Sequence, residues 1–502
     1  MEELLYKLKR HNIDIDTVDD QLRLQIPENL QAGELLQEIR NNKQELIAHL
    51  KRKKISADEA LASSRIEHEG ECYYAITRFQ AYWANEEIDR EFKKNDNIHG
   101  SINSMYEVIG AFDAAVFKRC VVAIVNRHES LRATFHKVQN RYLMRVEPTD
   151  LPQYEPVYRD LRNDVPAVEP FVRFHDHRFS VTQGPLFAVR IARVKDERYT
   201  VSFKMHHIIG DALSMRLLLQ ELLQVYDACR KDQHSQLPAL KKQYKDYLAV
   251  LNLYYSHHYQ QHRLYWKERY NTLPPPYTIP GANSTPAELN KRICKTASFL
   301  LPPEITTKLG AMAGRTSASF FVILQTAWKK FLSEKTGVTD LTIGTSISGR
   351  DQDDMQNQVG CYAKTVLVRT VFEPADTFEQ VVDKVKHSNE EMKSYQAFTL
   401  FDALMELRPP GYAGGTHFQK VNMHFEDSMD MRDEFGNSLF RDLRFARIHT
   451  VSNSHIPIDM QLSFYASGQE IALEVQYDSS MYEAAALNSL IHDFINYTNS
   501  VL

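Results

Sequence analysis

Two adjacent histidines, His206 and His207, stand five and four residues ahead of Asp211 in the stretch MHHIIGDALS, Met205 to Ser214. An imidazole titrates close to neutrality, so one of these rings can take a proton from a nucleophile or orient it by hydrogen bonding. Neighbouring side chains on extended backbone point to opposite sides, which predicts one chemical and one structural ring. Asp211 is close enough to fold back and fix the loop. If buried there, its carboxylate needs a cation, because stranding one costs about 3–5 kcal/mol. An arginine from elsewhere in the chain is therefore expected.

Other candidates for chemistry are weaker. In SHHYQQH, His258 and His262 share a helical face with His257 beside them, but the helix is polar and no acidic ligand is near, so no metal site is expected. His175 and His177 are expected on a surface loop. The five cysteines, Cys72, Cys120, Cys229, Cys294 and Cys361, are widely spaced without a CxxC pair, which argues against disulfides or a zinc knuckle and for a reducing cytoplasm.

The histidines need a strand before them and a helix after. In RYTVSFKMHH, Tyr199, Val201, Phe203 and Met205 alternate onto one face; LSMRLLLQELLQVYDACR then carries the period of an amphipathic helix. His206 and His207 thus fall on a strand-to-helix loop, within an α/β texture that begins near Tyr73. The prolines Pro274, Pro275 and Pro276 mark a loop between two comparable halves. Ahead of them, Leu4, Leu5 and Leu8 share a helical face, Ile13 to Thr17 and Leu22 to Ile26 alternate around Asp19-Asp20, and two short helices follow with a break at Asn41-Asn42. We expect a small unit over 1–56, a polar linker over 57–71, and two lobes over 72–260 and 261–502.

The chain has 502 residues, and 60 Lys+Arg against 65 Asp+Glu give a net charge of −5, so no basic field points to nucleic acid or a membrane surface. MEELLYKLKR lacks the basic start of a signal peptide, and no apolar run reaches a membrane span of ~20 residues.

Further stretches accompany the histidines in order: TRFQAYW at Thr77, RHESLRATF at Arg127, FSVTQGPLF at Phe179, YKDYLAV at Tyr244 and VGCYAKTVLVR at Val359. Together they resemble the ordered core motifs of nonribosomal peptide synthetase condensation domains over about residues 72 to 502. The first unit resembles the TubC-type N-terminal docking domains of the same assembly lines. The resemblance implies an α/β fold of two chloramphenicol acetyltransferase-like lobes forming a V, behind an α-β-β-α-α docking domain. It implies amide formation between a carrier-bound acyl thioester and an amine, with no intrinsic cofactor and phosphopantetheine supplied by a partner peptidyl carrier protein. By the same resemblance His207 is the base or amine positioner, His206 and Asp211 are structural, and the Gly210 amide faces the oxyanion. Arg127, the first arginine of RHESLR, is the partner expected for Asp211, with Arg132 as further ion-pair support. Leu22, Arg23, Leu24, Gln25 and Ile26 would form the strand that accepts a C-terminal docking peptide of an upstream synthetase. The basic run Lys51 to Lys54 would suit an acidic tail.

The chain departs from the family pattern at several points. Ala212 replaces the glycine after the motif aspartate, Lys364 the asparagine of VGxxxNT, the tryptophan closing YxDxAxW is missing, and YQAFTLFDAL keeps the late HQDxPFE motif only loosely. No adenylation signature, carrier serine (Gly414-Gly415-Thr416-His417 has none) or thioesterase GxSxG is found, so the expectation is a terminal step using a free small amine. Condensation with a carrier-bound acceptor supplied in trans, and a silent recruitment domain, are the alternatives. The paired-aspartate motif of heterocyclisation domains is absent, and DEFGN at Asp433 is not the DFGWG of plant acyltransferases.

Overall fold

A computed structural model describes residues 4, 5, 7, 8, 13–18, 21–27, 33–52, 64–90, 100–233, 237–283, 294–350, 355–398, 402, 419–427, 440, 442–448 and 458–502. Asp19-Asp20, Lys53, Lys54, Gly414 to His417 and Asp433 to Asn437 lie outside the described residues.

In the first unit, β1 (Asp14–Val18) and β2 (Gln21–Gln25) form an antiparallel pair in which Ile15 faces Leu24. Two helices follow, α1 (Gly33–Asn41) and α2 (Lys43–Arg52), broken where the sequence turns polar. Leu4, Leu5, Leu8, Ile13, Ile39 and Leu46 close a small core.

The linker ends earlier than expected. Arg65–His68 is a strand, β3, paired with β4 (Glu71–Ala75), because Ile66 has an apolar cluster of Tyr73, Val138 and Leu143 to pack on. Next come α3 (Arg78–Arg90), β5 (Ser101–Gly110) and α4 (Ala114–Arg127), whose first turn is capped by Asp113 through the amides of Ala115 and Val116, both at 2.9 Å. Then follow β6 (Ala133–Val138), β7 (Arg141–Val146), β8 (Val157–Asp160), α5 (Val165–Val172), β9 (Phe187–Lys195), β10 (Arg198–His206) and α6 (Ala212–Arg230). Val201, Phe203 and Met205 of β10 share a core with Leu218, Leu219 and Leu222 of α6. Each such side chain contributes about 1.5–3 kcal/mol on burial. That packing aims the end of β10 at the start of α6.

The helix α7 (Tyr244–Arg269) runs unbroken through the boundary drawn at 260, since nothing before Pro274 interrupts its hydrogen bonding. The second half contains β11 (Cys294–Leu300), α8 (Pro303–Thr316), α9 (Phe320–Thr336), β12 (Asp340–Ile347), β13 (Lys364–Val371), α10 (Phe378–Ser394) and β14 (Gln419–Asp427). It ends with β15 (Leu443–Ile448), β16 (Met460–Ser467), β17 (Glu470–Asp478) and α11 (Ala484–Val501). Its six-stranded sheet runs β11-β17-β16-β14-β12-β13, with Trp328, Phe331 and Phe494 in the core.

One strand crosses over. β15, expected in the second lobe, joins the five-stranded sheet β15-β5-β10-β9-β8 of the first. Phe445 packs on Phe112 and Phe440, and Arg230 pairs with Asp442. Crossing covers the edge that β5 would otherwise leave unpaired. Among the described residues, no helix is long and apolar enough to cross a membrane.

RHESLR does a different job from the one expected. Arg127 reaches Glu221 of α6 at 2.9 Å and the Pro238 carbonyl at 2.7 Å, and His128 Nε2 meets the same carboxylate at 2.7 Å. Arg132 donates to the carbonyls of Glu147 and Asn126. Neither arginine touches Asp211; both lock α4 and its following turn to their surroundings. Glu221→Ala strands Arg127 and His128, and should lower the midpoint of urea unfolding by an amount equivalent to about 3–5 kcal/mol, while Glu221→Gln should cost less.

Candidate active site

His206 is the last residue of β10, His207 to Ile209 make a short 3-10 turn, and Asp211 caps α6. The His206 ring lies edge-on to Trp83 and Phe179, and its Nδ1 accepts a hydrogen bond from the Ile208 amide at 3.1 Å. The His207 amide donates to the Gly100 carbonyl at 2.6 Å, and its ring lies edge-on to Phe79. TRFQAYW is the support beneath the turn: Gln80, fully buried, donates to the Ile208 carbonyl at 2.9 Å. Gly100 is needed here, since a Cβ would come within 2.5 Å of the Trp83 ring.

His207 is half-buried, and its enclosed Nδ1 has no hydrogen-bond partner among the described residues. Burial lowers its pKa below the ordinary 6.5, only partly opposed by its own carbonyl, by Asp211 and by the Gly210 carbonyl. The ring is therefore neutral at pH 7, as a proton acceptor must be. Gly210 is extended and pressed on Met205, where a Cβ would sit 2.6 Å from the sulfur.

Asp211 is bound by Arg350, not by an arginine of RHESLR. The pair is bidentate, Nη1 to Oδ2 at 2.7 Å and Nη2 to Oδ1 at 3.0 Å, with both side chains almost fully buried. Ser214 gives its amide and hydroxyl to Oδ1 at 2.8 and 2.7 Å, and the amides of Tyr362 and Ala363 reach Oδ2, each at 3.1 Å. Burial opposes the charge, but Arg350 and Ser214 outweigh it and hold the carboxyl below its usual range. Ala212 begins the helix proper, so the glycine missing there is not required by the backbone.

Arg350 was the residue the sequence did not single out. It follows Gly349, which has φ of +64° and would carry a Cβ 2.2 Å from the Tyr362 carbonyl. That glycine, two residues after strand β12, was the available signal. VGCYAK supplies the rest of the bridge. Gly360 leaves room for the Tyr244 ring, whose hydroxyl donates to the Cys361 carbonyl at 2.8 Å. Tyr362 lies under the Arg350 guanidinium at 4.3 Å.

Beside this bridge is a narrow cavity lined in part by Arg78, Phe79, Tyr255, Tyr362, Lys364 and Asp402. Lys364 lies 4.4 Å over the Tyr255 ring and donates to Gln396 at 3.3 Å. Burial pushes its pKa down to about 7. Asp402, from the loosely kept YQAFTLFDAL, pairs with Arg78 at 3.1 Å and accepts from the Tyr259 hydroxyl.

The other histidines singled out in the sequence make contacts of a different kind. His262 is buried and accepts from the Ala397 amide at 2.8 Å, and His258 stacks on Tyr254. His175 is exposed as expected, whereas His177 turns inward against Phe174 and Phe179. The docking strand presents exposed Arg23, Gln25 and Ile26 and half-buried Leu22 and Leu24, and among the described residues it pairs only with β1.

Comparison with known proteins places these features in context. Residues 79–502 match the family model of the condensation domain, and residues 1–52 that of the TubC N-terminal docking domain. Surfactin synthase subunit 1 of Bacillus subtilis (strain 168) is 26% identical over 389 residues, 77% of this chain and 10% of that protein. Gramicidin S synthase 2 of Brevibacillus brevis is 24% identical over 439 residues, 86% of this chain and 9% of its own length. The chain thus spans about a tenth of these relatives. Among solved structures, the first condensation domain of the calcium-dependent antibiotic synthetase matches with a TM-score of 0.67 at 19% identity, covering 85% of this chain and 95% of that one. The X-domain from teicoplanin biosynthesis matches at 0.69 and 18%, covering 83% and 94%. These likenesses establish the shared α/β fold.

Arg350→Met leaves the Asp211 carboxylate buried without its cation and should cost about 3–5 kcal/mol, read as a lower unfolding midpoint. The pH dependence has a defined sign. Because the folded pKa of Asp211 lies below 3.8, its contribution is complete above that value and is lost as pH falls through the folded pKa. In Asp211→Asn, acid titration of stability should lack that step.

Proposed function

This chain belongs to the condensation-domain family of nonribosomal peptide synthetases, with a TubC-type docking domain ahead of it, and we propose that it joins a carrier-bound acyl thioester to an amine. The observation that carries this reading is the half-buried His207, whose burial favours the neutral ring, on a turn tied down by the Asp211–Arg350 bridge. The amine nitrogen attacks the thioester carbonyl carbon, giving a tetrahedral oxyanion. The intermediate collapses with loss of the phosphopantetheine thiolate. The amine's proton passes to His207 or to water hydrogen-bonded to it, and from there to the thiolate, so the products are an amide and a free carrier thiol. The Gly210 amide is our candidate donor to the oxyanion. His206 does no chemistry in this reading; it shapes the turn through Ile208.

The acceptor in our reading is a free small amine. The cavity beside the bridge is narrow, which suits the tail of a small molecule. The donor arrives on a peptidyl carrier protein, and β2 recruits the upstream synthetase by accepting its C-terminal peptide along Leu22 to Ile26. An intact histidine pair favours catalysis over a recruitment role.

Incubation with an acyl-loaded carrier and a panel of amines should yield amide, detected by mass spectrometry, and His207→Ala should lower the rate by about 10²–10⁴-fold while carrier binding is kept. Equal rates in the variant would sink the catalytic assignment. Expressed per concentration of neutral amine, kcat/KM should fall in acid with an apparent pKa below 6.5, the side to which burial moves His207.

A further inference from the structure

Lys364 is the polar wall of the cavity that least resembles a structural residue. Its ammonium donates to Gln396 at 3.3 Å and faces the ring of Tyr255 at 4.4 Å. The Tyr255 hydroxyl is itself enclosed without a partner among the described residues. The one carboxylate among the described lining residues, Asp402, is already held by Arg78 and Tyr259. A cationic group entering this space finds no free anion among the described residues and meets two basic side chains, Arg78 and Lys364. A neutral chain finds aromatic and aliphatic surface: Phe79, Tyr255, Tyr362 and Leu251.

The cavity is close to the chemistry. Phe79 touches the His207 ring edge-on at 6.3 Å, and Ala363, next to Lys364, donates its amide to Asp211. We propose that the cavity receives the tail of the attacking amine and that Lys364 determines specificity there, admitting neutral tails and rejecting tails that carry a second cation. This rests on the reading of the chain as an amide-forming enzyme. At an effective dielectric near 20, two like charges about 4–6 Å apart repel strongly enough to discriminate by tenfold or more.

Two amines of equal length test it: pentylamine and 1,5-diaminopentane, which differ by one terminal ammonium. In the full chain, kcat/KM for pentylamine should exceed that for the diamine by at least about tenfold near pH 6. The ratio should shrink as pH rises past about 7, where Lys364 loses its proton. Arg78 and Asp402, paired at 3.1 Å, are the other charged side chains at the cavity, beside the Gln396 amide and the Tyr255 phenol. Lys364→Met should bring the ratio near unity at every pH. Lys364→Arg should keep it high at every pH, and Lys364→Glu should favour the diamine. An unchanged ratio in Lys364→Met overturns the inference.

Binding of the two amines measured by calorimetry without a donor separates the two readings. Preference for pentylamine in binding, lost in Lys364→Met, sustains the role of Lys364 even if no amide forms, in which case the proposed reaction fails. Amide formation without any charge preference does the reverse.

Discussion

Asp211 and Arg350 stand 139 residues apart in the chain and meet in a buried bidentate pair. Two charges removed from water are costly, and their attraction offsets that cost only with good geometry and full hydrogen bonding. Here the geometry is bidentate and the carboxylate is fully bonded: each of its oxygens accepts from Arg350 and from further donors, Ser214 on one side and the Tyr362 and Ala363 amides on the other. Such a pair tolerates little displacement of either half. It therefore fixes the start of α6, and with it the turn carrying His207, against the segment that leads from β12 into β13.

Several otherwise unrelated sequence features serve this constraint. Gly349 permits the bend that presents Arg350, Gly360 makes room for Tyr244, and Tyr244 and Tyr362 pack at 5.1 Å to enclose the pair. Gln80 and Trp83 hold the turn from the other side. The crossing of β15 into the first sheet and the passage of α7 from one half to the other are further ties, so the two halves are joined covalently, by sheet and by salt bridge. The histidine itself is left with an enclosed Nδ1 that has no partner among the described residues, and sites of chemistry are where a fold commonly concedes stability.

The departures from the family pattern divide by their position relative to this bridge. Ala212 is absorbed because its backbone is helical, and Tyr244 seals the site although no tryptophan closes its motif. Lys364 is not absorbed: it puts an ionisable amine into a cavity wall, where burial holds it near neutrality. On the reading proposed above, changes that keep the bridge intact while altering the cavity leave the chemistry in place and alter what is accepted.

Local pattern made much of this legible. The alternation in RYTVSFKM, the helical period after Ser214 and the hairpin followed by two helices in the first unit depend on side chains within a few residues, and the described residues show those elements. The sequence also carried the need for an arginine opposite Asp211, since burial of a carboxylate demands one. Which arginine was decided only by tertiary structure: RHESLR is occupied by Glu221, a partner on α6 that no local pattern connects to it. The same holds for β15 and for Ile66 in β3, whose positions depend on an open sheet edge and an apolar cluster formed by distant segments. Periodicity reports which face a residue occupies, but not what packs against that face, because the partner is chosen by the energy of the whole assembled core.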